Sequence, residues 1–270
     1  MSEGSSVKPT MRAGLRRAKP SVARAARAVA CRSEQLAHRL EPREIDRPAL
    51  PVADADGRVL YRNLWMPPNV ETAKLAILNT ADEALFEKTA AEVATQLGPF
   101  IDSGDIVADV GCGIGRIVGK VASACREIWA IDVSEEMLTF AADRLRGLGN
   151  VKYAPSEGTR VPSVPDANVD FVYSVLVLQH LEREDCFLLL RDMHRFTRPD
   201  GRGYFTFPNL LTHEGLAMFL RRIDRGEIGH AARARSYTPQ EVERLLPTAG
   251  WEILDRLDDE RDIVVSCRRV

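Results

Sequence analysis

The chain has 270 residues, of which 45% are hydrophobic and 28% are charged, and its formal net charge is −2. This composition excludes an intrinsically disordered protein and allows one large domain or two small ones. The small net charge argues against a broadly basic surface, so we expect no nucleic-acid partner. The five cysteines form no C-x-x-C pair, and no apolar run approaches the roughly 20 residues of a transmembrane helix. We therefore expect a cytoplasmic protein without disulfides, a zinc site or a transmembrane segment.

Residues 1–45 are predicted to form a basic extension. Residues 1–40 contain nine Lys and Arg but only two acidic residues. From Ser21 onward, apolar residues recur at helical spacing with arginines between them, which predicts an amphipathic helix. Such a helix can bind a membrane surface or an acidic partner, or it can pack on the main domain or on a second copy in a homodimer. Its apolar face is mostly alanine, which favours packing, and a targeting presequence is a further alternative.

Residues 46–270 are predicted to form the main domain. Residues 41–79 are interrupted by prolines, which predicts short extended pieces and irregular structure. A helix is expected from Thr80 to the Gly98-Pro99 pair. After it, short apolar runs alternate with helical segments. Strands are predicted at residues 106–110, 127–131, 151–153, 169–173, 203–207, 251–257 and 263–267.

This alternation of strands and helices predicts a parallel sheet with helices on both faces. The last two strands are separated by too few residues for a crossover helix, so they are expected to be antiparallel. The predicted fold class is therefore α/β. It comprises a doubly wound, mostly parallel seven-stranded sheet with an antiparallel C-terminal hairpin, plus an N-terminal helical extension.

A glycine loop, residues 109–115 with the sequence DVGCGIG, lies between a predicted strand and a predicted helix. Dinucleotide sites require G-x-G-x-x-G, but here the third glycine comes one position early and Arg116 occupies the expected place. Asp109 would repel a pyrophosphate, whereas it would attract an ammonium group. The loop therefore favours a ligand that carries a cationic amine and no phosphate.

Asp132 ends the next predicted strand, about twenty residues after the loop. A carboxylate in this position can accept hydrogen bonds from both hydroxyls of a ribose. Together, the loop and Asp132 predict a site for a nucleoside with an amino-acid tail.

Four segments, residues 107–116, 131–138, 157–162 and 170–181, resemble successive motifs of the Rossmann-like (class I) S-adenosylmethionine-dependent methyltransferases. The resemblance spans roughly residues 80–258 and implies an enzyme with S-adenosylmethionine as cofactor. It implies that Asp109 and the glycine loop hold the methionine part, that Asp132 binds the ribose, and that Ser174 lies along the methionine tail. The implied cofactor-binding residues are Asp109, Gly111, Gly113, Gly115, Asp132, Val133, Met137, Glu157, Gly158 and Ser174. Because the chain reads Pro155-Ser156-Glu157, the adenine contact expected of Glu157 can fall on Ser156 instead.

The resemblance also implies that residues 208–236 build an acceptor pocket and lid. Asn209, His213 and Glu214 are candidate acceptor-binding residues there, or ordinary surface residues. The arginines of this segment form either a basic lid or a solvated surface. His180 follows the fourth strand and is the candidate general base; the alternative is that it orients its loop. No sequence pattern predicts a metal site.

The leading functional hypothesis is a methyltransferase that acts on a small-molecule acceptor. A hydroxyl oxygen of a sugar or secondary metabolite is the expected target. Two alternatives remain open at this stage: a methyltransferase for a protein or nucleic acid, and a non-catalytic cofactor-binding interaction protein. An oxidoreductase is a fourth hypothesis, which the glycine spacing opposes.

Overall fold

The computed structural model describes residues 53–55, 59–224, 226 and 234–270. The predicted N-terminal helix and its expected role in a homodimer lie outside the described residues. The helices are α1 (Tyr61–Leu64), α2 (Val70–Leu78), α3 (Glu83–Leu97), α4 (Val118–Val121), α5 (Glu135–Arg144), α6 (Arg183–Phe196), α7 (His213–Asp224) and α8 (Pro239–Thr248). The strands are β1 (Ile106–Val110), β2 (Glu127–Asp132), β3 (Val151–Pro155), β4 (Val169–Ser174), β5 (Thr197–Pro208), β6 (Trp251–Asp258) and β7 (Asp262–Arg269). Short 3₁₀ turns occur at Gly98–Phe100, Ala122–Ala124 and Leu178–His180.

The strands form one seven-stranded sheet in the order β3-β2-β1-β4-β5-β7-β6. The first five strands in this order pair in parallel, whereas β7 pairs antiparallel with both β5 and β6. The predicted α/β fold with a doubly wound, mostly parallel seven-stranded sheet is confirmed, including the antiparallel C-terminal hairpin. The order reverses between β1 and β4, so the carboxyl ends of these neighbouring strands flank a natural crevice.

Burial of both sheet faces explains why the sequence forms this fold. Every residue of β4 is buried, and so are the last four residues of β1. Strands covered on both faces are expected to be continuously apolar, as these are in most positions. Two large hydrophobic clusters cover the two faces of the sheet. None of the described helices combines the length and apolar character needed to cross a membrane.

Local capping fixes several helix starts. Ser134 caps α5, because its hydroxyl accepts from the Met137 amide. Helix α3 begins at Glu83, three residues after the expected start at Thr80, and is capped by Asp82. The prediction of irregular structure through residue 79 is wrong. Helix α2 forms there because the Asn69 side chain caps it directly after the Pro67-Pro68 pair.

Candidate functional site

A cavity of about 900 Å³, including its open mouth, lies at the carboxyl ends of β1, β2 and β4. The cavity lies at the point where the strand order reverses, and open α/β sheets bind their ligands there.

The structure brings seven of the predicted site residues to the cavity wall: Gly111, Gly113, Asp132, Val133, Met137, Gly158 and His180. They come from the glycine loop after β1, the end of β2, the start of α5, the loop after β3 and the loop after β4. Four other predicted residues do not line the cavity: Asp109, Gly115, Glu157 and Ser174.

The glycine loop is held tightly against its surroundings. The amides of Gly111 and Cys112 both donate to the Ile131 carbonyl of β2, at 2.8 and 2.9 Å. Gly111 has φ +86°, and a Cβ there would lie 2.1 Å from a methyl carbon of Val177. Only glycine fits such a left-handed, crowded position. The backbone of the loop can therefore approach a ligand closely.

Asp132 is almost fully buried and has both carboxylate oxygens oriented by backbone amides. Oδ2 accepts from the Gly113 amide at 2.8 Å, and Oδ1 accepts from the Ser134 amide at 3.0 Å. Burial raises the pKa of Asp132, and the backbone hydrogen bonds oppose that rise. A carboxylate has about four acceptor sites, so capacity remains for the two hydroxyls of a ribose.

The loop after β3 presents Ser156 to the cavity, whereas Glu157 is exposed and lines a shallower neighbouring depression. The Ser156 hydroxyl accepts from the Gly158 amide at 3.0 Å. That amide is therefore already paired within the loop. The geometry favours the Ser156 alternative over the Glu157 contact.

Asp109 is buried and does not line the cavity. Its carboxylate accepts from the Tyr173 hydroxyl at 3.0 Å. Burial raises the pKa of Asp109 to about 7, although the Tyr173 hydrogen bond and the Arg116 charge lower it. Asp109 is not among the residues that line the cavity, so its contact with a methionine ammonium stays a prediction.

Gly115 and Ser174 also make contacts that stabilise the fold around the cavity. A Cβ on Gly115 would lie 2.7 Å from Leu145, so this glycine allows the loop to pack on the end of α5. The Ser174 hydroxyl donates to the Val110 carbonyl at 2.9 Å and joins β4 to β1. Side-chain packing and strand pairing account for these two residues without a ligand.

Arg116 lines the cavity, although the sequence analysis used it only to exclude a dinucleotide site. This residue is 5% exposed, and its side chain makes a long hydrogen bond of 3.4 Å to Thr89. Burial lowers the pKa of Arg116, and the nearby Asp109 opposes that effect. A buried guanidinium at a ligand cavity is suited to bind a carboxylate. A basic residue directly after the glycine loop was the available sequence signal.

The N-terminal helices form one wall of the cavity. Tyr61, Trp65, Ala76 and Ile77 all line it. The Tyr61 hydroxyl donates to Asp185 at 2.5 Å and accepts from the Glu182 amide at 2.9 Å, so α1 is tied to the start of α6. This wall was not predicted, because residues 41–79 were interpreted as irregular.

His180 lies in the loop after β4, with its ring edge-on to Trp65 at a centroid distance of 4.9 Å. The Gln179 side-chain nitrogen is 3.1 Å from Nε2. An amide nitrogen only donates, so Nε2 accepts and the ring proton resides on Nδ1. Gln179 and Trp65 thus orient the His180 ring at the cavity wall.

The candidate acceptor residues of the 208–236 segment are placed elsewhere. Asn209 is buried, and its Oδ1 accepts from the Leu211 amide at 3.0 Å, which shapes the turn before α7. His213 and Glu214 begin α7, and Glu214 pairs with Arg221 at 2.6 Å. None of the three lines the cavity. Their role in binding the acceptor stays a prediction. The Thr212 hydroxyl donates to the Glu260 carbonyl at 2.7 Å, so the chain runs toward Glu260 as it leaves β5.

The described cysteines, Cys112, Cys125, Cys186 and Cys267, are free and buried. Among the described residues, no group of three or more His, Cys, Asp or Glu is arranged to hold a metal ion.

Comparisons with known proteins agree with this geometry. Residues 107–201 match the family model of a methyltransferase domain. The chain is 30% identical over 124 residues to a malonyl-[acyl-carrier protein] O-methyltransferase of Marinomonas, covering 45% of this chain and 44% of the relative. It is 32% identical over 106 residues to a demethylmenaquinone methyltransferase of Geobacillus kaustophilus, covering 37% and 44%. The chain thus spans less than half the length of these relatives.

Among solved structures, magnesium protoporphyrin IX methyltransferase from Synechocystis with bound SAH superposes with a TM-score of 0.54 at 19% identity. The match covers 78% of this chain and 93% of that chain. At this identity the likeness establishes the fold. The matched domain and the likeness together show that residues 107–201 are similar to a methyltransferase domain and that the chain has the fold of S-adenosylmethionine-dependent methyltransferases.

Proposed function

We propose that this protein transfers the methyl group of S-adenosylmethionine to a hydroxyl oxygen of a small, largely apolar acceptor. The observation that carries the proposal is a single cavity whose wall contains both Asp132 with its glycine loop and the oriented ring of His180. Isothermal titration calorimetry tests which cofactor the protein binds. S-adenosylmethionine and S-adenosylhomocysteine should bind, and NAD should not. Binding of NAD alone would overturn the proposal.

The residues of the cavity fit the cofactor group by group. Asp132 retains acceptor capacity for the ribose, Met137 and Val133 offer apolar surface for the adenine, and Ser156 offers a hydroxyl at the end of β3. Arg116 offers a guanidinium for the methionine carboxylate. The cofactor supplies a methyl group activated by a positive sulfur.

The acceptor is then held in line with that methyl group, and positioning of this kind supplies several kcal/mol. The bond from carbon to sulfur breaks as the bond from carbon to oxygen forms. The hydroxyl proton passes to Nε2 of His180, which exchanges its hydrogen bond with Gln179 for one with the acceptor. The products are the methyl ether and S-adenosylhomocysteine.

The rest of the cavity wall indicates what kind of acceptor fits. The Tyr61 hydroxyl is already bonded to Asp185 and Glu182. The other wall residues outside the cofactor groups are mainly apolar: Trp65, Ala76, Ile77, Val175, Leu176, Val177, Leu181 and Leu189. A polyhydroxylated sugar would lose hydrogen bonds against such a wall. An apolar secondary metabolite with one nucleophilic hydroxyl is therefore favoured.

Replacing His180 with alanine should reduce kcat by roughly 10²–10⁴-fold, because a general base contributes about that much. The affinity for S-adenosylhomocysteine should stay within about twofold in a calorimetric titration. Once an acceptor is identified with radiolabelled S-adenosylmethionine, steady-state kinetics give the comparison. His213→Ala is the matched control, since that residue lies outside the cavity. Unchanged turnover in the His180 variant would remove the residue as base.

Replacing Arg116 with alanine should weaken S-adenosylhomocysteine binding by about 10–100-fold, since a hydrogen bond to a charged group contributes about 1.5–3 kcal/mol. Binding of 5′-methylthioadenosine, which lacks the carboxylate, should be unchanged. Arg126→Ala, an exposed arginine at the other edge of the sheet, is the charge-matched control. Equal losses for both ligands would contradict a carboxylate contact and indicate a structural role beside Asp109.

A further inference from the structure

The loop after β4, residues 175–182, carries His180 and contains a strained backbone position. Leu176 has φ +62°, in the left-handed region that residues other than glycine rarely adopt. Such a conformation costs free energy and persists only where the surrounding structure holds it. Leu176 and His180 both line the cavity, so this strained loop has to be held in place at the site itself.

Two hydrogen bonds hold the first half of the loop. The Leu176 amide donates to the Thr206 hydroxyl of β5 at 3.1 Å. The Gln179 side chain donates to the Leu176 carbonyl at 3.2 Å and also contacts Nε2 of His180 at 3.1 Å. The strained backbone and the His180 ring are therefore connected through the side chain of Gln179.

Arg235 holds the second half of the loop. Its backbone amide donates to the Gln179 carbonyl at 2.7 Å, and its Nη1 donates to the His180 carbonyl at 2.9 Å. Its Nε donates to the Glu182 carboxylate at 3.1 Å, and its Nη2 forms an ion pair with the same group. Arg235 therefore binds residues 179, 180 and 182 at once.

The backbone segment that carries Arg235 is itself fixed to the sheet. Two residues later, the Tyr237 amide donates to the Pro208 carbonyl at the end of β5, at 2.8 Å. The Tyr237 carbonyl accepts from the Leu210 amide at 2.8 Å. Because this segment is held on both sides of one residue, Arg235 provides a fixed point from which the loop after β4 is held.

The side chain of Arg235 is buried together with its bonding partners. Arg235 is 6% exposed, and it does not line the cavity. A buried guanidinium is tolerated where its charge is paired and its donors are bonded, and Glu182 and the His180 carbonyl supply both. The sequence left two roles open for the arginines of residues 208–236, a basic lid or a solvated surface. Arg235 fits neither role.

We propose that Arg235 is a positioning residue, which holds the loop after β4 so that the His180 ring stays at the cavity wall. Its importance for methyl transfer rests on the proposed role of His180 as general base. Arg235 acts through the backbone of residues 179–182, without touching cofactor or acceptor.

Nuclear magnetic resonance of the full chain with S-adenosylhomocysteine bound tests the positioning without any acceptor. The His180 ring signal is identified by its absence from a His180→Ala variant. Arg235→Met removes the side-chain bonds and keeps the backbone bond to Gln179, so it should shift or broaden the His180 signal. The signal of His194, whose ring contacts the Val270 carbonyl, should not move. Affinity for S-adenosylhomocysteine should stay within about threefold, because Arg235 lies outside the cavity.

Two milder variants keep the test decisive if Arg235→Met does not fold. Arg235→Lys restores the charge but not the planar set of donors, so the His180 signal should change less than in Arg235→Met. Glu182→Gln weakens the ion pair and should shift the His180 signal in the same direction. A folded Arg235→Met variant with an unchanged His180 signal would overturn the proposal, as would a folded Glu182→Gln variant in its place.

Steady-state kinetics with radiolabelled S-adenosylmethionine then test the effect on methyl transfer. Arg235→Met should lower kcat by about 10–100-fold, because a displacement of about 1 Å at a reacting group can cost that much. In a His180→Ala background the same substitution should lower kcat less than about twofold, because its effect passes through His180. Arg221→Met, at an exposed arginine of α7 that pairs with Glu214, is the matched control and should leave kcat unchanged.

The outcomes distinguish the positioning role from the proposed function. Equal losses of kcat on Arg235→Met substitution in both backgrounds would overturn the positioning of His180 and indicate a general structural role. If His180→Ala itself left kcat unchanged, the role of His180 as base would fail. A shifted His180 signal in the Arg235→Met variant would still support the positioning of the ring.

Discussion

An Asp132→Ala variant is expected to bind S-adenosylhomocysteine at least about a hundredfold more weakly than the unsubstituted chain. Two hydrogen bonds to a charged carboxylate, each contributing about 1.5–3 kcal/mol, would be lost with the ribose. The expected loss is large because backbone amides already fix the orientation of both oxygens, which lowers the cost of ordering them on binding. Isothermal titration calorimetry measures the affinity.

Two further variants separate ribose binding from folding. Asp132→Ala also leaves the Gly113 amide without its acceptor, at a cost of about 1–3 kcal/mol, so thermal unfolding must be measured beside affinity. Asp132→Asn preserves the shape and one carbonyl acceptor and should give an intermediate affinity. Asp143→Ala, at an exposed ion pair, is the control and should change neither quantity. A folded Asp132→Ala variant that binds within threefold of the unsubstituted chain would exclude the ribose assignment.

A Gly111→Ala variant should lose about 2–4 kcal/mol of unfolding free energy and at least about tenfold in cofactor affinity. The added Cβ would meet Val177 at 2.1 Å, which forces the glycine loop or the loop after β4 to shift, and φ +86° adds backbone strain. Urea denaturation gives the stability change, and calorimetry with S-adenosylhomocysteine gives the change in affinity.

Gly104→Ala is the matched control for this substitution. A Cβ added at Gly104 would meet no atom within 4 Å, so the change in stability should stay within about 0.5 kcal/mol. In a Gly111→Ala/Val177→Ala double variant, the part of the stability loss that comes from the clash with Val177 should be relieved. The part that comes from backbone strain at residue 111 should remain. If Gly111→Ala behaved like Gly104→Ala, the close packing of the loop on Val177 would not matter for the site.

Strand positions were predictable because buried parallel strands are continuous apolar runs between clear turn residues. The predicted strand at 106–110 coincides with β1, and the short link between the last two strands required their antiparallel pairing. Helix α2 was missed because Pro67 and Pro68 suggest irregular structure. The Asn69 cap and packing over the glycine loop override that local signal.

The predicted site residues show the same difference between local sequence patterns and tertiary packing. Asp132 was predictable because its position at a strand end, one strand after a glycine loop, is itself a sequence pattern. Asn209, His213 and Glu214 were chosen only by their place in the chain. The path of the chain after β5 takes them away from the cavity.

The sequence by itself determined the α/β fold class, the reversal point with its glycine loop, and a ligand with a ribose and an amino-acid tail. Each of these depends on residues close together in the chain. The tertiary structure alone decided that Tyr61 is tied to Asp185, 124 residues away, and that Arg116 faces the cavity while Asp109 does not. It also decided that α7 turns its apolar face outward. These features depend on how distant segments pack against one another, which local spacing does not specify.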